Sequence, residues 1–432
     1  MSSSTEDVAH LLRRSGFVAP AARVAALSSL DWPAVVEAVL DTSAAPAEDY
    51  PSWLLSYDQE NGWRQHVLHL QWWLDRCVST PTPIVEKMLH FWHGHFVVSW
   101  SKVYHMPAMV SLSRKYRAGG LGNLATLAQQ MAVEPAMLWY LDNSDNVKAS
   151  PNQNFARELM ELFLLGVGNY TEDDVIASAR AWTGHSTVDW NVATYLFRSG
   201  QHDNANKTFF GTTRNWDGPE IITEILTNPT KRPIVAKYLA KKLWEFFAYQ
   251  NPAQGIVDQL ATDFVNSGLE IKALLRSIFN RPEFRSTTAK QGLVRSPIEW
   301  VVAAMAATGV PAAEAHPEWV LDTMGQEPFN PPNVSGWRQN GYWVNTSAFN
   351  GRALFARNAG WYLKERGFLN GIESWTPGLA ISTAESTFGV TFSDTTRAAL
   401  LRWFDRQRTA DLWAEHENFI TLVLLAPELH LA

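Results

Sequence analysis

The 432-residue chain carries 43 acidic against 36 basic side chains, a formal net charge of −7, and is 46% hydrophobic and 18% charged. That length suffices for a sizeable core, and the acidic balance excludes the basic footprint by which proteins hold nucleic acid or an anionic membrane surface. The single cysteine, Cys77, excludes an internal disulfide, and no run of about 18 apolar residues is present to span a bilayer.

In chain order, the opening MSSSTEDVAHLLRRSGF places acids where a secretion signal carries its basic region, so a soluble cytoplasmic protein is expected. Residues 5–15 read as an amphipathic helix beginning after Ser4, with acids first, arginines last and Gly16 beyond. Asp31-Trp32-Pro33 opens another, and the Ala-, Pro- and Ser-rich residues 43–57 read as a surface connection. Long helical patterns cover about 60–78 and 83–103. The second, PIVEKMLHFWHGHFVVSWSKV, holds His90, His93 and His95. On an ideal helix Glu86, His90 and His93 share one face and His95 points the other way, unless Gly94 loosens the helix and lets His93 and His95 converge. Three imidazoles amid Phe91, Trp92 and Phe96 are candidate metal ligands, or axial ligands for a haem.

Further helices are predicted at 106–117, 122–132 and 135–141. The stretch from 150 to 185, SPNQNFARELMELFLLGVGNYTEDDVIASARAWTGH, then sets Asn154, Arg157, Glu158 and Glu161 on one polar stripe of an otherwise apolar helix. Buried charges need partners, so this stripe reads as a site or as an ion-pair network, Arg157 with Glu161 being an ordinary i,i+4 pair. Gly166 and Gly168 end that helix, and Thr171 begins the next, which carries Arg180 and His185 near its far end.

Between 186 and 212 the pattern changes to loose alternation with β-branched and aromatic residues, predicting a small β-hairpin excursion whose tail holds His202, Asp203 and Lys207. Helices resume at about 217–227, 231–248, 254–266, 269–279, 297–308 and 317–323. The long loop at 324–346, dense in Pro, Asn, Gly and Trp, reads as a fixed functional shape. Were it to hold a partner segment, Asn333 and Asn345 would satisfy that segment's backbone and Trp337 would cover it. Helices at about 347–366, 393–407 and 410–425 close the chain. The expected class is mainly α, a multi-helix compact bundle forming one domain over residues 1–432, with the β-hairpin excursion at 186–212.

The phrases KMLHFWHGHFVVSWSKV, YLDN, PNQNFARELMELFLLGVGNYTEDDV, ARAWTG, HDNANKTFFG, IVAKYLAKKLWEFF and MGQEPFNPPNVSGW…YWVNT closely resemble, in the same order, the bacterial family catalogued as domain of unknown function 1800. The resemblance covers nearly the whole chain. It implies a family whose members are commonly exported and often occur beside sulfatase-like proteins, and it implies no particular reaction. The chain departs from the family phrases at Gln153, where glutamate is usual, and at His185, where tryptophan is usual. An additional histidine beside the candidate site points to a specialised substrate.

The leading functional expectation is a metal-dependent enzyme, oxidative and oxygen-activating rather than hydrolytic, acting on a small or an aromatic or sugar-like substrate in an aromatic-lined pocket. His90, His93, His95, Glu158, Glu161, His202 and Asp203 supply a mixed N/O ligand set suited to a divalent metal: iron, manganese or zinc. Glu158, Glu161, Arg157 and Lys207 are the candidate catalytic residues, Arg157 orienting an acidic group and Lys207 meeting a developing anion. Trp337, Asn333, Asn345 and His185 are the candidate substrate contacts. The Glu-x-x-His hallmark of di-iron bundles is replaced by His-x-x-His and Glu-x-x-Glu.

Three alternatives stand beside it. A noncovalent haem enzyme would use His90, His93 or His95. A metal-independent glycoside hydrolase would use Glu158, Glu161 and Asp203 as acid and base. A non-catalytic binding or maturation module would hold a protein partner in the 324–346 loop. No nucleotide cofactor is expected, since no phosphate-cradling glycine turn is present, and no Gly-x-Ser-x-Gly marks a nucleophilic hydrolase.

Overall fold

The computed structural model describes residues 3–188, 191–290, 292–368, 370–410 and 417–432. Local chemistry sets most helix ends. Thr5–Ser15 starts under Ser4, whose side chain accepts from the Asp7 amide at 3.1 Å, and Trp32–Leu40 starts under Asp31 in the same way. Helix α1 (Gly62–Ser79) packs against helix α2 (Pro83–His93). The continuous helix predicted over 83–103 is corrected: α2 stops at His93, Gly94 caps it through its amide, and only the single turn Trp100–Val103 follows. A glycine followed closely by Val97 and Val98 favours that break.

The stretch after residue 150 differs from an ideal wheel. Helix α3 (Asn154–Glu158) runs into a π-helical turn, Leu159–Leu164, closed by the Leu165 amide on the Met160 carbonyl at 2.8 Å. Such wide turns carry i→i+5 bonds and free carbonyls at their ends. The Leu162 carbonyl accepts from the Tyr238 hydroxyl at 2.8 Å and the Phe163 carbonyl from His95 Nε2 at 2.9 Å, so two other elements clasp the turn.

Helix α4 (Glu172–Ala181) begins with a reciprocal capping box between Thr171 and Asp174. The β excursion follows as two hairpins rather than one. Strand β1 (His185–Val188) pairs antiparallel with β2 (Thr194–Phe197), His185 opposite Phe197, and β3 (Lys207–Phe209) pairs with β4 (Thr212–Arg214). Asp189 and Trp190, within the predicted excursion, lie outside the described residues. Helices α5 (Gly218–Thr227), α6 (Arg232–Phe247), α7 (Pro297–Thr308) and α8 (Thr346–Glu365) frame the rest. The chain adopts the predicted class: mainly helical, with small antiparallel β elements.

Among the described residues, the longest helices that escaped the sequence reading are Ala21–Ser28 and Pro377–Phe388; the short Thr287–Lys290, Ala312–Ala315 and Pro427–His430 escaped it too. Of the longer two, the second carries readable end signals, Thr376 accepting from the Leu379 amide and Gly389 at φ 61°, around a thin apolar pattern. Of the helix predicted over 410–425, residues 411–416 lie outside the described residues and Asn418–Leu424 is helical. Trp73, Trp92, Trp182, Trp244, Trp300 and Trp343 are all buried, so much of the tryptophan is core. Among the described residues no helix is long and apolar enough to cross a membrane.

Glu86 shows how this core handles charge. It is 1% exposed and accepts from Trp73 Nε1 at 2.9 Å, Arg76 Nε at 2.7 Å and Arg117 Nε at 2.9 Å. The carboxylate that shares a predicted face with His90 and His93 is thus taken up by a buried ion network.

Candidate functional site

The polar stripe on α3 does not face a buried site. Arg157, more than one-third exposed, pairs with Glu172 at 2.7 Å instead of Glu161 and also reaches Gln153. Glu161 accepts from the Tyr170 hydroxyl at 2.5 Å. Glu158 is half-buried and forms no ion pair among the described residues. Burial, and then the Glu161 carboxylate, push its pKa up against the pull of Arg157. A carboxyl raised in the folded state favours folding at low pH and loses that advantage as pH rises through its folded pKa. Glu158→Gln is therefore expected to hold or raise the melting temperature at pH 7, with the gain vanishing near pH ~4 where unfolded carboxylates protonate. Thermal melts at both pH values check this; a drop of many degrees at pH 7 would mean that Glu158 anchors a partner.

Of the α2 histidines, His95 is spent on the Phe163 carbonyl. His93 is buried between Phe329 and Trp337, with ring centroids at 5.3 and 5.2 Å, and burial drives its pKa down to about 3. His90 lines a small cavity under Trp337, and burial brings it down to about 4. Among the described residues, His90, His93, His95, Glu158, Glu161 and Asp203 join no cluster of three or more ligand atoms at metal-binding spacing.

One such cluster does form, from His185, His202 and Asp217, whose ligand atoms all lie within 4.8 Å of one another. Three elements build it. At the exit of α4, Gly184 adopts φ 81°, where an added Cβ would sit 2.7 Å from the Arg198 carbonyl, so a glycine alone lets β1 start beside that chain. His185 then opens β1, its Nδ1 2.9 Å from the Tyr195 hydroxyl and its Nε2 2.9 Å from Asp217 Oδ1. His202 Nδ1 lies 2.8 Å from the Thr183 carbonyl. A carbonyl only accepts, so Nδ1 carries the proton and Nε2 keeps a free lone pair, the tautomer a metal ligand requires.

Asp217 caps α5, its Oδ1 accepting from the Gly218 amide at 2.7 Å. Burial pushes its pKa up, but the His185 hydrogen bond and charge, the Gly218 amide and His202 together hold it below the usual carboxylate range. Both imidazoles are buried whereas the Asp217 side chain is 46% exposed, so the cluster opens to solvent on the carboxylate side. Trp182 and Phe197 wall it, 4.7 and 4.8 Å from the His185 ring.

The neighbouring candidates are structural here. Asp203 Oδ2 pairs with Arg180 Nε at 2.7 Å and its Oδ1 accepts from the Ala205 amide, which pins the chain just after His202. Lys207 spends its donors on the Asp203 carbonyl, Asn215 Oδ1 and the Trp216 carbonyl, leaving no free cation for a reacting anion. Asn345 caps α8 by accepting from the Ala348 amide, and Asn333 accepts from the Ser335 amide within its own turn. Trp337 covers the His90 and His93 rings, held there by Gly336, where an added Cβ would sit 2.7 Å from the Gly94 carbonyl. Asp217 was missed: it forms a capping box with Glu220, and nothing local links a cap to a histidine 32 residues away.

The family described as "Protein of unknown function (DUF1800)" matches residues 10–431. No curated protein and no solved structure matches the chain.

Proposed function

We propose, from the premise that the chain belongs to the DUF1800 family, that it is a metal-dependent enzyme whose centre is His185, His202 and Asp217. The observation that carries the reading is the convergence of two buried imidazoles and one solvent-facing carboxylate within 4.8 Å. Two histidines and a carboxylate with open positions suit iron(II) in oxygen-activating sites, which favours oxidative over hydrolytic chemistry. When bound, such a metal would supply dioxygen activation.

The chain's own residues would fix the rest. Thr183 sets the His202 tautomer, Tyr195 orients the His185 ring, and Asp203 with Arg180 holds the segment that presents His202. A small substrate would approach past Asp217. Since His185 stands where the family phrase usually has tryptophan, this centre would be a specialisation of this chain. A cytoplasmic setting belongs to the proposal: the one thiol, Cys77, is free and buried, and nothing demands an oxidising compartment.

Metal titration of chelator-treated protein tests the reading, with cobalt(II) as a coloured probe and iron(II) and zinc as comparisons. About one equivalent is expected to bind. Loss of a direct ligand in His202→Ala is expected to weaken binding by more than the ~100-fold typical of outer-sphere changes, whereas Glu161→Ala leaves it unchanged. Absence of binding, or equal binding by His202→Ala, overturns the proposal.

A further inference from the structure

The cluster of His185, His202 and Asp217 is walled unequally. Trp182 lies 4.7 Å from the His185 ring and is fully buried, whereas Phe197 touches both imidazoles and is still 39% exposed. Strand geometry puts Phe197 there. It stands opposite His185 in the β1–β2 register, and Tyr195 stands opposite Thr187, so alternation along both strands sends these four side chains to one face of the hairpin.

Phe197 meets His185 at 4.8 Å and 46° and His202 at 5.3 Å and 64°. Both contacts are inclined, and among the described residues no ring lies parallel to Phe197. A face left open in this way suits the parallel, offset stacking that aromatic pairs favour. Asp217, 2.9 Å from His185, is the ligand that reaches solvent, so the exposed groups at the mouth include a carboxylate and a phenyl ring.

The polar side chains beside the two histidines have little left to offer a ligand. Tyr195 is bonded to His185, Thr183 Oγ1 donates to the Arg180 carbonyl at 2.7 Å, Asp203 pairs with Arg180, and Lys207 is spent on its three acceptors. Covering the hydroxyls of a sugar without giving them partners is costly, so this mouth favours a flat ring over a polyol.

We propose that the exposed face of Phe197 receives the aromatic ring of the substrate and so selects aromatic over saturated and sugar-like molecules. The inference rests on the metal reading, since it takes the three ligands as the place where that substrate reacts.

Titration of the cobalt(II)-loaded full chain with benzyl alcohol, cyclohexylmethanol and methyl glucoside, followed by the visible spectrum, tests it. Benzyl alcohol is expected to shift the spectrum and to bind about fivefold more tightly than cyclohexylmethanol, the worth of one aromatic pair beyond its buried area, with methyl glucoside weakest. Phe197→Leu, which keeps an apolar side chain at this partly exposed position, is expected to take up cobalt and to lose the preference, and Phe197→Tyr to retain it. Should Phe197→Leu fail to fold by circular dichroism, nuclear Overhauser contacts from benzyl alcohol to phenylalanine-labelled, zinc-loaded protein read the same contact, which is expected on the one signal that Phe197→Tyr removes. Failure of the chain to take up cobalt overturns the metal reading and this inference with it. Uptake of cobalt with no binding of benzyl alcohol, no preference for it, a preference that Phe197→Leu keeps, or no Overhauser contact to Phe197 overturns this inference alone.

Discussion

Acidification from pH 7 to 5 is expected to destabilise this protein strongly. Six histidines have pKa values depressed chiefly by burial: His10 to about 2, His93 to about 3, His90 and His430 to about 4, and His69 and His95 well below the ordinary value. Their folded forms stay neutral while the unfolded chain takes up protons from about pH 6.5 downward. Protons held preferentially by the unfolded state make stability fall as pH falls. The contribution is fully present above pH ~6.5 and is lost progressively toward the folded values. Each such histidine loses about 1.9 kcal/mol between pH 7 and 5, the limiting slope being about 1.4 kcal/mol per pH unit, so six acting together approach about 11 kcal/mol, comparable with a typical folding stability of about 5–15 kcal/mol. Urea midpoints at pH 7, 6 and 5 check this. A midpoint that does not move would mean that these imidazoles carry protons in the fold.

Glu86→Ala is expected to cost about 3–5 kcal/mol, the range for removing one partner of a buried ion pair. Among the described residues, Arg117, 5% exposed at its side chain, would keep as polar partners only Tyr50 and the partly exposed Glu48. At present Glu86 is the main influence holding Arg117 in its charged form against burial. Trp73 Nε1 would lose its acceptor as well. Arg157→Ala is the contrast: its pair with Glu172 is exposed on both sides, and such pairs are worth about 1 kcal/mol or less. Equilibrium urea unfolding of both variants measures the difference. Equal costs would show that the network around Glu86 relaxes without strain.

Helix ends were legible because the caps are chemically explicit: Ser4, Asp31 and Thr171 each accept a backbone amide at a helix start, whereas Asn345 was read as a ligand contact and is a cap as well. The candidate site was legible only in part. His202 and His185 could be singled out, the one as a ligand and the other as a substrate contact, but their meeting depends on the hairpin that folds β2 back across β1 and on α5 bringing its cap to the same place. The 157–161 stripe misled for a different reason. A wheel drawn at constant pitch has no place for a π turn, and an apolar majority does not reveal that the polar edge faces water beside Glu172. Likewise Glu86 and His95 looked like site residues because buried polar groups look alike in sequence, whether they serve a ligand or hold a carbonyl or an arginine.

The clasped turn at Leu159–Leu164 also bears on which length changes the gene can tolerate. A π turn holds about one residue more than an α turn, so it is where this helix can lose a single codon in frame without changing the register of the residues on either side. The shortened helix would keep its own ladder, and because the wide turn supplies the lost residue, the residues beyond would keep roughly their orientation. What would be lost is the wide turn itself, and with it the free Leu162 and Phe163 carbonyls that Tyr238 and His95 hold. The surplus residue is therefore retained by its neighbours on α6 and after α2, and shortening here means giving up the junction between three segments.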